Sequence, residues 1–112
     1  MSWWVYVRAE CDCPHTHDPL YERNVTYNNS KIFYKAFPLL DEGFRSFDGM
    51  NGDDARPHLA SALLSLASKP QEYRELEPPN KWGGIDDCLD VVRGIISAIN
   101  AEDAGKTRIE VS

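Results

Sequence analysis

"SWWVYVRA", residues 2–9, alternates Trp3, Val5, Val7 and Ala9 against Trp4, Tyr6 and Arg8. A period of two in residues this rich in β-formers predicts a strand with two different faces. The far end of the chain repeats the pattern: in "KTRIEVS", residues 106–112, Ile109 and Val111 share one side. Two strands at opposite ends of a run of helices have a simple solution, in which the strands pair and the helices cover one face. The expected fold is a small single α/β (α+β) domain, residues 1–112, with paired N- and C-terminal strands covered by about three helices. The direction of that pairing stays open.

Three helical patterns lie between the ends. Ser30–Leu40 places Phe33, Ala36, Phe37 and Leu40 on one face, and Pro38 predicts a stop near Ala36. Asn28, Asn29 or Ser30 can cap it, after an extended "LYERNVTYN". Ala55–Ser68 carries Leu59, Ala62, Leu63 and Leu66 at helical spacing, preceded by an aspartate suited to capping and ended by Pro70. "QEYREL" adds one helical turn. The clearest pattern is Ile85, Cys88, Leu89, Val92, Ile95, Ile96 and Ile99, which keeps helical spacing for four turns. "CDCPHTHDP", with no periodicity, predicts an irregular loop over 11–19, and "DEGFRSFDGMNGDD" reads as turn-rich.

Composition narrows the function classes. The chain has 112 residues, enough for one domain that buries roughly two-thirds of its unfolded surface. A net charge of −6 argues against phosphate-driven nucleic-acid binding, which needs clustered Lys and Arg. No apolar run reaches the roughly 18 residues a membrane helix needs. The start lacks the basic-then-apolar layout of a signal peptide, and three cysteines cannot all pair within one chain. These features point to a reducing cytoplasm.

Cys11, Cys13, His15 and His17 are all possible zinc ligands. Four ligands within seven residues, interrupted by Pro14, make poor tetrahedral geometry, because structural zinc sites draw ligands from distant elements. The alternative is a polar loop with two exposed thiols, and no metal or cofactor is expected. Cys13 beside His15 lacks a third, orienting group for nucleophilic catalysis. His58, one residue before an apolar helix face, reads as solvent-facing. No P-loop, serine elbow or dinucleotide fingerprint is present, so no catalytic residue is assigned.

Three segments suit a ligand better. In "NVTYN", Asn24, Thr26 and Asn28 alternate, so their amides and hydroxyl share one side of an extended segment, with Val25 and Tyr27 on the other. They can read a small polar ligand, or satisfy turns and helix ends of the same protein. In "FRSFDGMNGDD", Arg45 can hold a phosphate or carboxylate and Asp48 stands beside it; Arg45 can equally pair with a local aspartate. In "EPPNKWGG", Asn80 suits a turn, and Gly83 and Gly84 let another group approach the backbone. Trp82 can stack on a ligand ring or plug the core. Asp86 and Asp87 occupy the positive end of the following helix, which favours a neutral ring over an anion there.

The order of these motifs, "NVTYN", "SFDGMNG", "EPPNKWGG" and a final "IEVS", resembles a group of small phage and prophage proteins of unknown function. The likeness runs from about Leu20 to Ser112. It departs at Lys81, where the group has glycine, at Ile85, where an aromatic is common, and at Ile32, which replaces a methionine. The resemblance implies expression in a bacterial host cytoplasm. By analogy with small phage proteins that hide nucleotide immune signals, it implies a sponge for a small-molecule ligand such as a cyclic nucleotide. Trp82, Tyr27, Asn24, Thr26, Asn28 and Asn80 would serve ring and ribose edges, and Arg45 and Asp48 would complete the set. A homo-oligomer could build a larger pocket across a symmetric interface. The rival expectations are a protein-binding inhibitor or assembly factor, and a hydrolase of the same signals. On the ligand-contact reading, Trp82→Ala costs well under about 3 kcal/mol and chiefly removes binding. An equilibrium urea denaturation showing a loss of about 3–5 kcal/mol would instead make this ring part of the core.

Overall fold

The computed structural model describes residues 2–9, 19–77, 83–101 and 104–112. The two terminal strands pair as the alternation requires, and the direction is antiparallel. β1 (Ser2–Ala9) is central, flanked by β2 (Tyr21–Thr26) and β3 (Thr107–Val111) in the order β2-β1-β3, antiparallel on both sides. Trp3 sits opposite Val25, and Val5 opposite both Arg23 and Val111, so the inward residues of the three strands form a largely apolar surface with Arg23 as its charged exception. "LYERNVTYN" is therefore a third strand, broken after Thr26 by a 3-10 turn over Tyr27–Asn29.

Among the described residues, four α-helices complete the domain. α1 (Ser30–Ala36) stops where Pro38 requires, two residues before the ring. α2 (Gly52–Ser68) begins three residues earlier than the apolar pattern does. Its cap is Asn51, whose side chain accepts a 2.8 Å hydrogen bond from the Asp53 amide, not one of the aspartates. Those aspartates occupy the first turn, where the helix dipole favours them. α3 (Pro70–Arg74) is the single turn expected of "QEYREL", and α4 (Ile85–Ala101) is the long helix. α2 and α4 pack on each other, and α4 also crosses β1 and β2.

The core is aromatic at one end. Trp3, Phe33 and Phe44 meet with ring centroids 4.6–6.4 Å apart, and Phe37 meets Phe47 edge-on at 4.8 Å. Phe44 and Phe47 come from a 3-10 helix over Gly43–Phe47, where a spacing of three puts both rings on one side. This segment, turn-like in sequence, is thus a core element. His58 is half-buried with its ring beside Phe47, not solvent-facing. On the outer face of the sheet Trp4 stacks on Tyr6 and stays 45% exposed. Among the described residues, no helix is long and apolar enough to cross a membrane.

The free edge of β3 is closed by the chain itself. Gly49 N–H donates to Ile109 O, Ile109 N–H donates to Met50 O, and the Val111 amide donates to Asp48 Oδ1 at 3.0 Å. Covering an edge in this way removes a template for pairing with other chains.

Leu59 and Leu64 lie on the same helix, the first fully buried and the second 70% exposed. Leu59→Ala is expected to cost about 2–5 kcal/mol, and Leu64→Ala within about 0.5 kcal/mol. Urea denaturation of the two variants checks the packing register of α2; equal costs would refute it.

Candidate functional site

The site grows out of the junction between β2 and α1. Thr26 keeps extended dihedrals and its Oγ1 accepts from the Asn28 amide, capping the 3-10 turn. Ser30 Oγ donates to Tyr27 O at 2.6 Å. The chain thereby changes from strand to helix within four residues. The turn throws Tyr27 back over Trp3, with ring centroids 4.6 Å apart, and points Asn29 inward.

Asn29 is fully buried and its amide is used on both sides. Oδ1 accepts from the Gly84 amide at 2.8 Å, and Nδ2 donates to Asp87 Oδ2 at 2.6 Å. The other oxygen of Asp87 pairs with the Arg23 guanidinium. This answers why glycines precede α4. Gly83 and Gly84 have φ of 88° and 127°, a region L side chains rarely adopt. A Cβ on Gly83 would also overlap the Asn29 amide oxygen and lie 2.9 Å from Thr26 Cγ2.

The facing wall is the turn after α3. Lys35 Nζ donates to Glu72 O at 2.8 Å and lies 5.2 Å from the Tyr73 ring centroid, which ties α1 to α3. Glu77 Oε2 accepts from the Ile85 amide at 3.3 Å, and its Oε1 lies 3.8 Å from Arg74. Between the walls opens a cavity of about 340 Å³. Tyr27, Asn28, Ser30 and Lys31 line one side, and Glu75, Leu76 and Glu77 the other. A smaller, apolar hollow of about 120 Å³ lies between Phe37–Leu39 and Pro57–Ser61.

The ligand residues expected from sequence separate into groups. Tyr27 and Asn28 line the cavity. Thr26 is committed to its cap, and Asn24 Nδ2 donates to Ser2 Oγ at 2.7 Å and Trp3 O at 3.1 Å. Asp48 holds the edge of β3, and Arg45, exposed on the neighbouring 3-10 helix, is not in the cavity wall and makes no ion pair with a described residue. Asn80 and Trp82 lie outside the described residues, as do Cys11, Cys13, His15 and His17. Among the described residues, no cluster of three metal-ligating side chains occurs. Cys88 is buried on α4, and burial, then the charges of Asp87 and Glu77, push its thiol far above the ordinary range. It is an inert core residue.

Sequence reasoning missed Ser30, Lys31, Glu75, Leu76 and Glu77. Lys31 and Lys35 stand four residues apart on the polar side of α1, a spacing that faces both toward one neighbour. No protein-family model, curated protein sequence or solved structure matches this chain.

The Asn29–Gly83 contact can be tested as a pair. Asn29→Ala leaves the Gly84 amide without its partner and is expected to cost about 1–3 kcal/mol. Gly83→Ala is expected to cost about 1–3 kcal/mol from its dihedral strain, plus the overlap with Asn29. In the double variant the overlap is gone, so the combined loss should fall short of the sum by more than about 0.5 kcal/mol. An additive urea-denaturation cycle would show that the two residues do not meet.

Proposed function

We propose that this chain is a non-catalytic binding protein that holds a small, ring-bearing polar ligand, a nucleotide signal, and withholds it from its receptor. The observation that carries this reading is the 340 Å³ cavity in which Tyr27 and Asn28, two of the ligand residues expected from sequence, stand together. The Tyr27 ring is 36% exposed and is backed by Trp3, so it offers a fixed face for stacking. Asn28 adds an amide, Ser30 a hydroxyl, and Lys31 and Glu75 charged groups, a mixture of apolar floor and few polar groups typical of ligand pockets. The setting in a phage-infected bacterial cytoplasm rests on the motif order from "NVTYN" to "IEVS".

The outer sheet face favours a second reading, as a protein-binding inhibitor. Trp4 stacks there on the half-buried Tyr6 with centroids 6.3 Å apart and stays 45% exposed. An aromatic pair with that exposure is a normal anchor for a protein contact.

A thermal-shift screen against mononucleotides, cyclic mononucleotides and cyclic dinucleotides separates the two. A ligand at a hundred times its dissociation constant stabilises by about 2.7 kcal/mol, which raises the melting temperature of so small a domain by roughly 10 °C. Tyr27→Leu, which keeps an apolar contact with Trp3 but removes the ring face, should abolish the shift. Mass spectrometry of the bound material should return the intact compound; a cleaved product would make the protein a hydrolase. A flat panel, together with lysate capture that Trp4→Ala abolishes, would replace the first reading with the second.

A further inference from the structure

Lys31 and Glu75 present opposite charges to one cavity without neutralising each other. Both line it, both are exposed, and neither forms an ion pair with a described residue. Their neighbours are otherwise engaged. Lys35, one turn along α1, is held by Glu72 O. Glu77, two residues along, serves the Ile85 amide and Arg74. Among the described residues the walls therefore offer one cation, Lys31, and one carboxylate, Glu75, that no ion pair engages.

We infer that the ligand is a nucleotide with one phosphate and an exocyclic amine on its base. This rests on the reading of the cavity as a nucleotide site and narrows it. A carboxylate only accepts hydrogen bonds, so Glu75 selects an amine edge and disfavours a carbonyl at the same position. Lys31 supplies a single point charge suited to a phosphate. The other charged groups of the described lining are carboxylates, Glu75 and Glu77, so a second phosphate finds no second cation in these walls. The volume agrees, since 340 Å³ lies at the lower end of the roughly 300–1,000 Å³ of small-molecule pockets. One ring and one phosphate fit that space better than the two nucleotides of a cyclic dinucleotide. The anion is thus assigned to Lys31, not Arg45, which is not part of this wall.

The test is titration calorimetry of the whole chain with isosteric pairs. CMP and UMP differ by amine against carbonyl, as do AMP and IMP; adenosine, ADP and a cyclic dinucleotide vary the phosphate count. CMP should bind more tightly than UMP and AMP more tightly than IMP, each by about three- to tenfold, the range of one typical net hydrogen bond. Glu75→Gln, which can donate as well as accept, should erase that preference. Lys31→Ala should weaken the monophosphates by a similar factor and leave adenosine unchanged. Both residues are exposed, and an unchanged melting temperature of each unliganded variant confirms that it is folded. If no nucleoside or nucleotide binds, the cavity reading itself fails. If they bind but ADP or the cyclic dinucleotide is tighter than AMP, or the amine preference survives Glu75→Gln, the cavity stands and the assigned ligand class is overturned.

Discussion

The side chain of Asn29 is the joint on which the packing of α4 against the sheet turns. A primary amide in the interior is tolerated only if donor and acceptor are both matched, because an unmatched buried polar group costs about 1–3 kcal/mol. Here the acceptor takes the Gly84 amide and the donor takes Asp87, whose remaining oxygen holds Arg23. β2 and the turn that follows it are thereby fixed in one register with the start of α4, more than fifty residues away. Apolar contact alone would leave α4 free to rotate, since it is apolar over more of its surface than the sheet covers. Directional bonds remove that freedom. The arrangement also sets the backbone before α4: only glycine permits the approach of the amide and the positive dihedrals together.

The cavity follows from the same joint. Once Asn29 is drawn inward, Tyr27 and Asn28 are left on the other side of the tight turn, and α1 must begin at Ser30. Glu77 links this wall to the joint, because the carboxylate that lines the cavity also accepts from the Ile85 amide. The Tyr27 ring is fixed from behind by Trp3, an inward residue of the central strand. The cavity is thus lined by the turn into α1 and the turn after α3, and it is tied to the sheet through Trp3 behind Tyr27 and to the start of α4 through Glu77; support of that kind is what a selective site needs.

The outline of the fold was legible because its signals are strong and local. Alternation in "SWWVYVRA" and "TRIEV" has one structural solution once helices separate the two, and Pro38 stops α1 where the ring forbids continuation. What was hidden depends on partners remote in sequence. On α4 the sequence pattern counts Leu89 and Ile96 in the stripe, although Val91 and Ala98 flank it on the other side and are apolar too. The structure buries Val91 and Ala98 and leaves the other two half-covered. Phe44 and Phe47 sit among Gly, Asp and Ser, whose turn signals masked a 3-10 spacing. Asn29 was one of three equivalent capping candidates, and its burial is decided by Gly84 and Asp87, more than fifty residues away.

The same distinction explains why the expected ligand set came apart. Asn24, Thr26 and Asp48 have side chains that mimic backbone groups, and in a chain with a strand edge and two abrupt turns such groups are captured locally. Asp48 occupies the Val111 amide at the edge of β3, Asn24 the Trp3 carbonyl, and Thr26 the Asn28 amide. A polar residue remains available to a ligand only where the backbone around it is already satisfied by regular structure. That condition holds at Lys31, inside α1, whose helical bonds leave its side chain no backbone duty. It also holds at Glu75, which closes α3 with its own amide bonded to Tyr73 O. Lys31 and Glu75, charged side chains at helix ends, are therefore the part of the cavity wall without a local duty, beside Asn28 of the connecting turn.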